Sequence, residues 1–204
     1  MIRLVAFLVC LAGAAAAQDL KRPALYDVAG VAANDVLNLR AGPSSAEAIV
    51  GALPPDARDV EVVAVNDTSK WGLVALPEGG GWASLRYLER QGGQPEGELP
   101  LPLRCSGTEP FWSLTVLPRG RAIWSGLDLP TEELRLVWTA PPVGRIAVRH
   151  GVRLVSDGAE IAGVVTRERC SDGMSDRPFG LSILATLTRR GDTALYEGCC
   201  SVQP

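Results

Sequence analysis

Val36-Leu37-Asn38-Leu39-Arg40-Ala41-Gly42-Pro43-Ser44-Ser45 alternates apolar and polar side chains over five residues and then breaks at a Gly-Pro-Ser turn. A period of two with an abrupt stop reads as a short, half-buried strand. The same grammar continues downstream. Residues 49–53 form a second candidate strand ended by Pro54-Pro55, and residues 60–65 a third ended by Asn66-Asp67. Residues 71–76 follow, then Glu78-Gly79-Gly80-Gly81 turns the chain into Trp82-Ala83-Ser84, and residues 85–88 close the unit. Five short strands with regular spacing and no long helical period predict a small antiparallel barrel over residues 18–90.

Periodicity stops at residues 91–102, where Gly, Pro and charge dominate, as in a semi-stiff linker. Beyond it, strand-like segments return at 111–117, 122–125, 134–138, 145–148, 152–155, 161–167, 180–187 and 194–199. About eight strands over residues 103–204 predict an antiparallel β-sandwich or a second small barrel. The longest interruption is 167–180, and loops carry function more often than strands.

The chain of 204 residues is 47% hydrophobic and 21% charged, which places it among globular proteins. A net charge of −3 offers no basic field for phosphates, so nucleic acid is not an expected partner. Met1-Ile2-Arg3, the apolar run 4–13 and Ala14-Ala15-Ala16-Ala17 have the three-part layout of a secretory signal peptide over residues 1–17. That run is too short to span a bilayer. The expected mature chain starts at Gln18, has no transmembrane segment, and is periplasmic or secreted. Outside the leader, Cys105, Cys170, Cys199 and Cys200 make an even number, which in an exported protein reads as two disulfides. Three pairings are open. Bridging Cys199 directly to Cys200 would need a distorted eight-membered ring, and neighbours on a strand point to opposite faces. A zinc site lacks both paired CxxC spacing and a nearby histidine.

Residues 36–44, Trp71-Gly72-Leu73-Val74, Gly81-Trp82-Ala83-Ser84 and Tyr87-Leu88, in that order and spacing, resemble a bacterial SH3 (SH3b) domain. The resemblance implies an SH3-like barrel that binds peptidoglycan or a peptide of the cell envelope. Asn38 and Arg40 become candidate groove residues, with pairing inside the turn as the structural alternative. Trp71 and Trp82 become candidate ligand platforms, with packing as theirs. In the second unit, Gly107-Thr108-Glu109-Pro110-Phe111-Trp112, Cys170-Ser171-Asp172-Gly173-Met174-Ser175-Asp176-Arg177 and Gly198-Cys199-Cys200 are similar to phrases of an uncharacterised family of bacterial envelope domains. That resemblance carries no activity. It implies that Cys170 pairs with Cys199, leaving Cys105 for Cys200.

Candidate chemistry is thin. His150 is the single histidine, in Arg149-His150-Gly151, where a turn would leave it exposed and solvated. Glu109, Asp172 and Asp176 could converge as carboxylates, yet Asp172-Gly173 is a turn pair and Asp176-Arg177 a candidate local ion pair. Calcium on Asp172, Ser175 and Asp176 lacks the ligand count, and no Gly-rich phosphate loop follows a strand. The expectation is a protein without catalytic residues, metal or cofactor. A sharper possibility concerns the 170–180 loop: stapled at Cys170, it would present Asp172, Met174, Asp176 and Arg177 as a rigid recognition or inhibitory surface. The structural alternative is that Asp172 and Ser175 cap backbone amides. A protein-binding inhibitor or sensor is therefore the second functional reading, and an envelope hydrolase the third.

Overall fold

The computed structural model describes residues 23–95, 97–144 and 148–202. The proposed leader, residues 1–17, and most of the strand expected at 145–148 lie outside these residues. The fold is all-β. The first unit contains β1 (Ala24–Val28), β2 (Leu37–Arg40), β3 (Ile49–Leu53), β4 (Val60–Val65), β5 (Trp71–Ala75), β6 (Gly80–Ser84) and β7 (Leu88–Arg90). They form one antiparallel sheet in the order β3-β2-β6-β5-β4-β1-β7. Leu37 and Leu39 of β2, Val62 and Val65 of β4, Val74, Ala83, and Val28 and Leu88 from the far edge share a single core. Strands from both ends of the ladder thus bury their apolar faces together, which a short sheet needs for stability.

The second unit contains β8 (Leu103–Thr108), β9 (Phe111–Val116), β10 (Arg121–Gly126), β11 (Leu129–Ala140), β12 (Arg149–Val155), β13 (Ala159–Cys170), β14 (Phe179–Arg189) and β15 (Asp192–Val202). These eight strands close into an antiparallel barrel, β10-β11-β12-β13-β14-β15-β8-β9. At this strand number the interior is just wide enough to be filled by side chains. Leu114, Trp124, Leu154, Ile161, Leu181, Ile183 and Leu187 fill it. Trp112 stacks on Trp124 at 4.8 Å between ring centroids, and Tyr196 meets Trp124 edge-on at 4.8 Å. Both arrangements suit the quadrupoles of the rings.

Two disulfides staple this barrel. Neighbouring side chains on β15 alternate, so Cys200 points inward to Cys105, directly opposite on β8, with 4.0 Å between Cα atoms. Cys199 points to the other face and joins Cys170 at the end of β13.

Residues 91–102 are tied to both units. Gln94 accepts the Leu25 N–H and donates to the Leu25 carbonyl. Gln91 donates to Asp27 and Asp59, and Leu99 is buried in the barrel's core cluster. His150 departs from expectation. It lies inside β12, is 4% exposed, and its Nε2–H donates to the Gly97 carbonyl at 2.8 Å. The apparent turn at Arg149-His150-Gly151 is continuous strand because all three residues pair with β13.

Candidate functional site

On β2, β5 and β6 burial alternates, and a Cβ at Gly72 or Gly81 would strike core side chains of Val62 or Leu39. The intervening residues therefore face outward. Asn38 and Arg40 of β2, Trp82 of β6, and Trp71 and Leu73 of β5 share that outer face. Arg40 pairs in register with Trp82, and Trp82 with Leu73. The four candidates of the first unit are thus brought together on one surface, with both tryptophans half-buried. The Arg40 guanidinium also donates to the Glu47 carbonyl at 2.7 Å, which pins it within the turn.

In the barrel, the three conspicuous phrases converge at one place. Thr108 Oγ1 donates to the Asp172 carbonyl at 3.0 Å, Trp112 Nε1 donates to the Glu197 carbonyl at 3.2 Å, and Cys170 is bonded to Cys199. A Cβ at Gly107 would lie 2.2 Å from Trp112 Nε1, and one at Gly198 would lie 2.1 Å from the Ser106 carbonyl oxygen. Only glycine lets the indole cross β8 to reach β15 and lets the strands approach this closely. These residues build a tryptophan-locked hairpin, β8–β9, against the stapled loop.

Within the loop, Asp172 Oδ1 accepts the Met174 and Ser175 N–H groups, and Oδ2 accepts the Ser175 hydroxyl. Burial pushes the Asp172 carboxyl up, but these donors outweigh it and hold the carboxyl below the usual aspartate range. Its oxygens are directed at its own loop, as the capping alternative requires. Asp176 is exposed. The candidate Asp176–Arg177 ion pair gives way to a longer-range one: Arg177 Nη2 donates to Glu61 Oε2 of the first unit at 3.0 Å. Glu61 is 5% exposed, and its Oε1 accepts the Val202 N–H at 2.6 Å. Glu61 lies on the face of β4 opposite the core residues Val60 and Val62, and the second unit covers it there; alternation in the sequence gives that face but not its cover.

Met174 stands 69% exposed over a groove of about 970 Å³. Glu109 and Asp172 line it, together with Val164, Leu184, Arg149 and Arg169. Sequence reasoning passed over Val164, Leu184 and Leu195, all outward and exposed. The readable signal was broken alternation: in Ser182-Ile183-Leu184-Ala185-Thr186, Ser182 and Thr186 keep the outer face polar and Leu184 interrupts it. Among the described residues no group of three His, Cys, Asp or Glu side chains could hold a metal ion. No helix among them is long and apolar enough to cross a membrane.

Fold and surfaces define the class: a two-unit all-β protein with a disulfide-stapled, eight-stranded barrel, a half-buried outer face on the first unit and an open groove on the second. Comparison with family models, curated proteins and solved structures gave no match to the chain.

Proposed function

We propose that this chain is a non-enzymatic recognition protein of the bacterial cell envelope, and that the outer face of β2, β5 and β6 contacts peptidoglycan or an envelope peptide. The observation that carries this reading is the convergence of Asn38, Arg40, Trp71 and Trp82 from three adjacent strands on one half-buried outer face. Flat aromatic rings beside a fixed guanidinium suit a ligand that offers sugar rings or carboxylates. The SH3b-like order of these residues supports the same reading. The leader-like residues 1–17 and the two disulfides support export into an oxidising compartment.

The test is sedimentation of residues 18–204 with insoluble peptidoglycan, with an unbound soluble protein as control. The chain is expected in the pellet, and Trp82→Ala or Arg40→Ala is expected to lower its affinity about tenfold while thermal melting remains cooperative. A chain that stays in the supernatant, or variants that pellet as the parent does, would remove the assignment to this face.

A further inference from the structure

The β8–β9 hairpin leans over the outer faces of β14 and β15 and leaves a pocket of about 230 Å³. Its apolar walls are Pro110, Leu184 and Leu195, and its carboxylates are Glu109 and Glu197. Leu184 is 50% and Leu195 65% exposed, a poor place for two leucines unless something covers them. Glu109 and Glu197 have no ion-pair partner among the described residues. We propose that this pocket receives an arginine or lysine side chain from a protein partner, and that the neighbouring groove takes the residues flanking it.

The chemistry selects that occupant. A long cationic side chain lays its methylene stem on apolar surface and keeps its charged head at a polar rim. Here the stem would lie against Pro110, Leu184 and Leu195, and the head would reach Glu109 and Glu197. A guanidinium, planar and always charged, fits two carboxylates better than an ammonium. Residues 103–204 balance 12 basic against 11 acidic side chains, so the preference for a cation rests on the local carboxylates of Glu109 and Glu197.

The continuation follows from the sheet register. Leu184 lies opposite Val164 of β13, and Met174 overhangs the same groove, so an apolar strip leads away from the pocket. Arg149 and Arg169 also line the groove and give it a cationic component. The barrel is closed, so a partner cannot add a strand to it here and must bind through side chains. The site is also rigid. The Trp112 indole bonds the backbone of Glu197, Thr108 bonds the loop, and Cys170–Cys199 fixes the loop's base. Little ordering is left for binding to oppose.

Selection of phage-displayed random dodecapeptides on residues 18–204 tests this directly. The expected consensus has Arg or Lys next to two or more apolar residues. The synthetic consensus peptide, measured by fluorescence anisotropy, should bind the Glu109→Gln/Glu197→Gln double variant at least about tenfold more weakly, since a charge-assisted contact is lost. Leu184→Ser should weaken it comparably. Both sites are exposed, so melting temperatures should stay near the parent's, and both variants should still pellet with peptidoglycan as the parent does. The proposal is overturned by selected peptides that lack a cationic residue, or by a cationic peptide that binds both variants as it binds the parent. Concentration-dependent dimers in light scattering that the same variants abolish would assign the strip to a second copy and equally overturn it.

Discussion

Asp172 illustrates how a carboxylate in a promising phrase can be consumed by its own backbone. Three donors within three residues converge on it, so its removal leaves the Met174 and Ser175 N–H groups without their acceptor. Asp172→Ala is expected to cost about 1–2 kcal/mol, the range of a lost cap, and Asp172→Asn less, because an amide oxygen still accepts. Urea unfolding at neutral pH measures both. Because the native carboxyl sits below the ordinary aspartate value, its contribution is present above that value and is lost as the pH falls through the native one. Acid therefore loosens this loop. Residue roles were legible here because a turn aspartate acts on near neighbours in sequence. They were illegible for His150 and Arg177, whose partners Gly97 and Glu61 lie 53 and 116 positions away.

At the scale of elements, strand alternation explains the cysteines. Cys199 and Cys200 are adjacent, so β geometry sends them to opposite faces, one to β8 through the interior and one to β13 outside. The closed loops differ in length, with separations of 95 and 29 residues. On the chain-entropy model the first contributes up to roughly 4.7 kcal/mol and the second roughly 3.5. Cys105→Ala/Cys200→Ala should accordingly lower the denaturant midpoint more than Cys170→Ser/Cys199→Ser. Equal midpoints would mean that native packing, not chain entropy, sets the contribution of the inner bridge. Period-two patterns also made most strands readable, because strands such as β2, β5, β6 and β9 bury one face; β4, buried on both from Val60 to Val63, is the exception that hid Glu61. Two strands escaped. Residues 103–108 alternate as Leu103, Cys105 and Gly107 inside, but glycine and cysteine are weak strand markers, so the segment merges with the linker. Residues 24–28 keep Tyr26 and Asp27 half-exposed between buried ends, a pattern without a period. The described residues hold eight barrel strands, the number expected, and the strand expected at 145–148 lies mostly outside them.

The whole molecule depends on how its two units meet, and that contact has a charged centre. Gly180 of β14 comes so close to β4 that a Cβ there would lie 2.6 Å from the Val63 carbonyl oxygen. Beside it, Glu61 is enclosed by the Val202 N–H and the Arg177 guanidinium, and Arg177 Nε has no partner among the described residues. Burial pushes the Glu61 carboxyl up to about 7, against the opposing pull of Val202 and Arg177. The native state thus holds a proton that the unfolded chain releases nearer pH 4.5. Between those values the native state binds more protons, so stability falls as the pH rises from about 4.5 to about 7 and levels off above. The full span is of order 3 kcal/mol. Glu61→Gln keeps the shape and an acceptor for Val202 but cannot titrate. Urea unfolding of parent and variant at pH 5 and pH 8 should therefore show a loss in the parent that the variant lacks. The difference between the two chains isolates Glu61 from other groups that titrate in that window. Identical pH dependence in both would mean that Glu61 is already ionised at pH 5, held so by Arg177. In that case Glu61→Ala should cost the 3–5 kcal/mol typical of a buried charge stripped of its partner.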